Sequence, residues 1–264
     1  MKGVLLKVLI AGLNRTQIST NSGRMTADIG IFYMTEWYTL PGFYQPISSL
    51  SHLAGALIFA VLSVFLLKPL WKDWGQLGFM SVFAFTTVLL LSMSGVYHMM
   101  APGDARFVFL RLDISAIYLL IAGSFTLLHG CLFKGWQRWG MLIPIWMMAV
   151  LGVIFTSLFH DLIDKRVAMV MLLAMGWTGL ASGGLVMRTY GRNTFDPILI
   201  GGVIYTFGAL ANCFHWPILI PRVFGPHEVL HFCVLIAVGC YWWLAFRVSH
   251  GIIQPKPVVV TSRS

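Results

Sequence analysis

The chain has 264 residues, 58% of them hydrophobic and 10% charged, with a formal net charge of +9. Soluble domains carry about 25% charged residues, so this composition cannot cover a water-facing surface and its solvent is largely lipid. The positive balance does not mark a nucleic-acid binder, because Lys and Arg sit in ones and twos between apolar runs and no basic face is interleaved with aromatics.

At the amino end, Met1 to Gly12 mixes charge with apolar residues, but Lys7 interrupts it and no small-residue cleavage site follows. A secretory signal is therefore not expected. Residues 13 to 33 are polar and Gly-rich. Patterned sequence begins just after Met34, which makes Met34 an alternative natural start. The expected organisation is a tail over 1–44, disordered or upstream of the true start, a seven-helix membrane domain over 45–250, and a second tail over 251–264.

A helix needs about 20 mostly apolar residues to cross roughly 30 Å of hydrocarbon. Seven runs qualify, near 49–67, 76–99, 112–132, 140–159, 167–187, 198–216 and 229–246. Barrel strands would be shorter and would alternate, so the predicted fold class is all-α, a seven-transmembrane helix bundle. Short connections make neighbouring helices antiparallel. Pro144 falls inside the fourth run, where membrane helices tolerate it. Trp71 and Trp74, Trp136 and Trp139, and Trp242 and Trp243 read as an interfacial belt. Cys131, Cys213, Cys233 and Cys240 lie in or beside apolar runs and read as small buried residues, with no structural disulfide expected.

Threading seven spans places most histidines at one membrane face, the one that holds the amino terminus. His52 begins the first span, His98 ends the second, Asp113 begins the third, and His227 and His231 begin the seventh. His160 and His215 end there too, while His129 and His250 fall on the other face. His227 and His231 are spaced i, i+4, on one face of a helix and close enough to share a metal. His98 offers a third nitrogen from a neighbouring span end. Three protein ligands and a water form the catalytic zinc arrangement. Asp113 is an ionisable group at the edge of hydrocarbon, costing a few kcal/mol unless it has a partner such as a ligating imidazole or metal-bound water. His52 reads as an interfacial residue, and Asp104, Asp161, Asp164 and Asp196 as solvated loop charges. His227-Glu228-Val229-Leu230-His231 also matches HExxH, the zinc protease motif with glutamate as general base. Membrane proteases of that type need a further Asp in an Asp-Gly context, and Asp113 is followed by Ile114.

Ser94-Gly95-Val96-Tyr97-His98, Leu112-Asp113, Ile121-Ala122-Gly123-Ser124-Phe125-Thr126 and Phe224 to Phe232 together resemble the hemolysin III family, which belongs with the progestin and adipoQ receptors and, more distantly, the alkaline ceramidases. The resemblance covers about residues 45 to 247. It implies a seven-helix zinc protein with His98, His227 and His231 as zinc ligands, Asp113 orienting the metal-bound water and Ser94 beside the site. It also implies that the amino terminus and metal site face the cytoplasm across the cell membrane. The charge count does not support that orientation: each face carries nine Lys and Arg, and leaving out the remote Lys2, Lys7, Arg15 and Arg24 gives five against nine, which favours the opposite one. The family's first motif, Glu-x-x-Asn-x-x-Thr-His, is Gln45, Ser48, Ser51 and His52 here, so the acid and the amide are missing.

The resulting expectation is an integral membrane zinc protein hydrolysing an amide or ester bond of a membrane lipid with a zinc-bound hydroxide, since zinc lowers the pKa of its water toward ~7. The alternatives are a non-catalytic lytic or pore-forming protein, or a regulator or receptor of membrane lipid state with structural zinc, and, on HExxH alone, an intramembrane protease.

Overall fold

The computed structural model describes residues 41–162, 165–221 and 223–255. Residues 1–40 of the expected 1–44 tail, including Met34, lie outside these residues, as do Asp164, the side chain of Asp161 and residues 256–264. Among the described residues, seven helical runs are long and apolar enough to cross a membrane.

Helix α1 spans Pro46–Leu67 and runs on through a short 3-10 turn to Leu70. Helix α2 spans Trp74–Met99, and its free first-turn amides are met by Asp73, whose side chain accepts from the Gln76 N–H at 3.0 Å. Helix α3 spans Asp104–Phe125 and continues as a π-helical segment over Thr126–Gly130. Helix α4 spans Trp136–Phe159 and contains Pro144. The fifth span consists of two helices, α5 over Lys165–Trp177 and α6 over Gly179–Tyr190. Helix α7 spans Arg192–Cys213 and α8 spans Pro226–Ser249.

All seven predicted runs are helical over most of their length; every one starts earlier than predicted, and the sixth ends earlier, at Cys213 rather than 216. The third span starts at Asp104, eight residues before the predicted start, because a hydropathy window stops at Arg106 and Arg111 while the backbone does not. Asp113 is thus more than two turns inside α3 rather than at its beginning. Asp104 and Asp196 are helical residues, not loop charges; Asp196 pairs with Arg192 at 3.5 Å. Trp71, Trp74, Trp136, Trp139 and Trp243 are exposed as an interfacial belt requires, but Trp242 is buried in the core. Its ring packs between Phe59 at 4.8 Å and Phe83 at 5.4 Å. All four cysteines are free thiols.

Close helix approach depends on glycine at a few positions. A Cβ on Gly208 of α7 would lie 2.6 Å from the Cβ of Cys233 and 3.2 Å from the Leu230 Cα of α8. One on Gly95 of α2 would lie 2.6 Å from the Leu53 side chain of α1 and 3.1 Å from its backbone nitrogen. Such small-residue contacts are the usual means of bringing helices together in lipid, where apolar side chains gain little by leaving it. At the opposite membrane face, His129 in the π-helical segment is buried. Its Nδ1–H donates to the Gln137 carbonyl at 2.7 Å and its Nε2 accepts from the Ser182 hydroxyl at 2.8 Å. Both ring nitrogens are used, so His129 ties the third span to the start of α4 and to α6.

Candidate metal centre

The end of α2, the inner face of α3 and the first two turns of α8 converge at one end of the bundle. The His227 Nε2 lies 3.3 Å from the His98 Nε2 and 3.0 Å from the His231 Nε2. Metal–nitrogen bonds of roughly 2.0–2.1 Å at tetrahedral angles hold ligand nitrogens about 3.3 Å apart, so this spacing suits a common ion. His98 and His231 are buried and His227 is partly buried. These three side chains could hold a metal ion.

The outer ring nitrogens support that fit. The His98 Nδ1–H donates to the Gln45 Oε1 at 2.5 Å. The His227 Nδ1 lies 3.4 Å from the Asn212 Oδ1, on the last turn of α7. Donation of one ring N–H to an oxygen fixes the tautomer and leaves the lone pair of the other nitrogen facing inward. The His231 ring instead packs on His52, with centroids 4.0 Å apart.

Asp113 approaches from α3, its Oδ2 4.0 Å from the His98 Nε2. That is longer than the 3.3 and 3.0 Å separations of the histidine nitrogens. Ser94, one turn before His98, is buried beside the Asp113 side chain. Gly95 beside it lets α1 come close, and the Ser49 hydroxyl donates to the Gly95 carbonyl at 2.8 Å. All five residues singled out in the sequence thus meet in one place.

The structure also gives roles to residues the sequence left aside. His52 is buried against His231 and is not an interfacial residue. The substituted first motif wraps the cluster: Gln45 holds His98, and the Ser48 hydroxyl donates to the Glu228 Oε1 at 2.9 Å. Glu228, the acid of HExxH, is buried with its Oε2 accepting from the Gly225 N–H at 2.8 Å. Both of its oxygens are engaged in capping α8 and joining it to α1, which opposes a general-base role and the protease reading with it. The presence of a histidine and hydroxyls at first-motif spacing was the available signal; nothing local pointed to Asn212.

His160 follows α4 in a 3-10 turn and His215 follows α7, and neither is among the three converging histidines. His250 caps the far end of α8.

The family model for haemolysin-III-related proteins matches residues 44–242. The similar proteins include Hemolysin-3 of Bacillus cereus, 29% identical over 163 residues that make up 60% of this chain and 74% of that one. The Hemolysin-3 homolog of Bacillus subtilis (strain 168) is 28% identical over 171 residues, 61% of this chain and 78% of that one. The match extends from the first-motif residues through the paired histidines of α8 and over most of the seventh span, so this multi-pass membrane chain belongs to the haemolysin-III-related family.

Proposed function

We propose that this chain is a zinc-dependent hydrolase of an amide or ester bond in a membrane lipid. The observation that carries the reading is the convergence of three imidazole nitrogens at 3.0 and 3.3 Å with a carboxylate 4.0 Å away. Three nitrogen ligands with one open position are the donor set of catalytic zinc. A zinc ion so held supplies Lewis acidity and lowers the pKa of a water to ~7. The chain's own residues do the rest. Asp113 accepts the proton and orients the attacking group, and Ser94 holds the Asp113 carboxylate in place. His98, His227 and His231 keep the donor set rigid because each ring is packed or hydrogen-bonded on its outer side.

A cavity favours a lipid substrate. It is partly open, has a volume of about 120 Å³, and its lining includes Phe83, Ile117, Ile121, Tyr205, Val234 and Tyr241. Ile117 is one turn along α3 from Asp113, and Val234 is three residues along α8 from His231. The apolar space therefore starts one turn deeper than the polar cluster, which suits an acyl chain attached to a bond held at the histidines. In this reading the metal end faces the cytoplasm across the cell membrane.

Metal analysis of detergent-purified protein is the first test. Wild type carries about one zinc per chain, and His227→Ala loses it. Asp113→Asn keeps the metal and abolishes turnover in a screen of ceramide-like amides and phospholipid esters. Metal-free wild type, or full turnover by Asp113→Asn, overturns the proposal.

The names of the two Bacillus relatives favour a second reading, membrane lysis with a structural metal. Dye release from vesicles containing the protein, unchanged after zinc removal, would establish it against the hydrolase.

A further inference from the structure

The zinc reading leaves open what decides which nitrogen of His98 faces the cluster. The His98 ring lies at the end of α2, where its Nδ1 meets Gln45 Oε1 at 2.5 Å. A carboxamide group offers an oxygen acceptor at one end and an NH₂ donor at the other, so Gln45 alone does not choose the tautomer. Arg106 does. Its Nη2 lies 3.0 Å from the same Gln45 Oε1. A guanidinium has donors only, so the Gln45 atom facing it must be oxygen. That oxygen then requires the hydrogen on His98 Nδ1 and leaves the His98 Nε2 as a lone pair 3.3 Å from the His227 Nε2.

Arg106 is itself held in place. Its guanidinium stacks on the Tyr44 ring at 4.3 Å and the Tyr97 ring at 4.7 Å, and its Nη1 donates to the Met100 carbonyl. The backbone fixes the other partner: the Gln45 N–H donates to the His98 carbonyl at 2.9 Å, and the Tyr44 N–H to the Met99 carbonyl at 3.1 Å. Residues 44–45, the end of α2 and the start of α3 thus form one polar lock around a single ring.

We propose that Gln45, oriented by Arg106, is a positioning residue that sets the His98 tautomer for metal ligation. The inference rests on the zinc reading. It explains how a neutral amide does a job that a carboxylate would do without help: a carboxylate accepts at either oxygen and needs no guanidinium to turn it.

The test is zinc affinity by chelator competition on purified full-length chain, together with the melting temperature of each metal-stripped variant. Gln45→Leu binds zinc roughly 10–100-fold more weakly than wild type, the usual cost of losing a hydrogen-bond partner behind a ligand. Arg106→Met weakens binding as well, because the amide is free to turn its NH₂ toward His98. Adding Gln45→Glu to Arg106→Met restores affinity, since either carboxylate oxygen accepts from Nδ1–H. A purely structural lock would not be rescued this way, as the pair would still lack the guanidinium. Wild-type affinity in a well-folded Gln45→Leu, or no rescue by Gln45→Glu, overturns this inference while leaving the metal site standing. Absence of zinc from the wild type overturns the zinc reading itself.

Discussion

Several buried polar side chains in this bundle pair across helices, and such a pair loses stability if one member is removed. Ser48 and Glu228 are the plainest case, a hydroxyl on α1 donating at 2.9 Å to a carboxylate on α8 that is 2% exposed. Ser48→Ala leaves one carboxylate oxygen without that partner. It should cost about 1–3 kcal/mol, seen as a lower melting temperature in detergent, with the zinc content unchanged because no ligand moves. Loss of zinc in that variant would show that Glu228 controls the position of His227 and His231 and not merely the junction of α1 with α8. His129 is a second such set, at the opposite membrane face. A buried histidine is a natural candidate ligand, but here both nitrogens already serve neighbouring oxygens.

Among the helices, α7 and α8 matter most to the centre, since α8 bears two of the three histidines and α7 supplies Asn212. Their approach at Gly208 has no room for a methyl group: Cys233 and the Leu230 backbone stand in its place. Gly208→Ala should therefore force the pair apart and destabilise the protein by about 1–3 kcal/mol. Because Leu230 is next to His231, zinc affinity should fall with stability. A Gly208→Ala protein with normal melting and normal affinity would mean that the two helices can separate locally without disturbing the histidines. The early start of α3 has a similar bearing on function. Had the helix begun at Leu112, Asp113 would face the membrane surface; ten residues of helix from Asp104 carry it into the bundle instead.

Taken as a whole, seven spans put the two ends of the membrane domain on opposite faces, with the histidine cluster at the end where α2 closes and α8 opens. Lys72, in the loop before α2, and Asp104, the first residue of α3, flank α2 and so belong to opposite faces. Single cysteines introduced at these positions, in a chain whose native cysteines are replaced, should react with an impermeant thiol reagent from opposite sides of sealed vesicles. Reaction of Asp104→Cys from the cytoplasmic side would put the metal end there. Reaction of both from one side would be incompatible with seven crossings. The loop after α7 presents Phe214, Trp216, Ile218 and Leu219 on its surface, apolar groups that suit the interfacial layer beside the metal end better than water.

Composition and local spacing were enough to read the class of the protein and the core of its candidate site. Lipid leaves the backbone no partner but itself, so a run of about 20 apolar residues is already a helix and seven such runs are already a bundle. The four-residue interval between His227 and His231 likewise puts two rings on one face of α8 whatever packs against it. What was not legible depended on contacts between residues far apart in the chain. Gln45 and His98 are separated by 53 positions, and Ser48 and Glu228 by 180, and no periodicity reveals which polar side chain another helix will present. The same holds for Trp242, which occupies an end-of-span position typical of an anchor yet packs inward on Phe59 and Phe83. Helix rotation about its own axis, set by close packing against neighbours, determines which residues at a membrane face become the centre and which meet lipid or water.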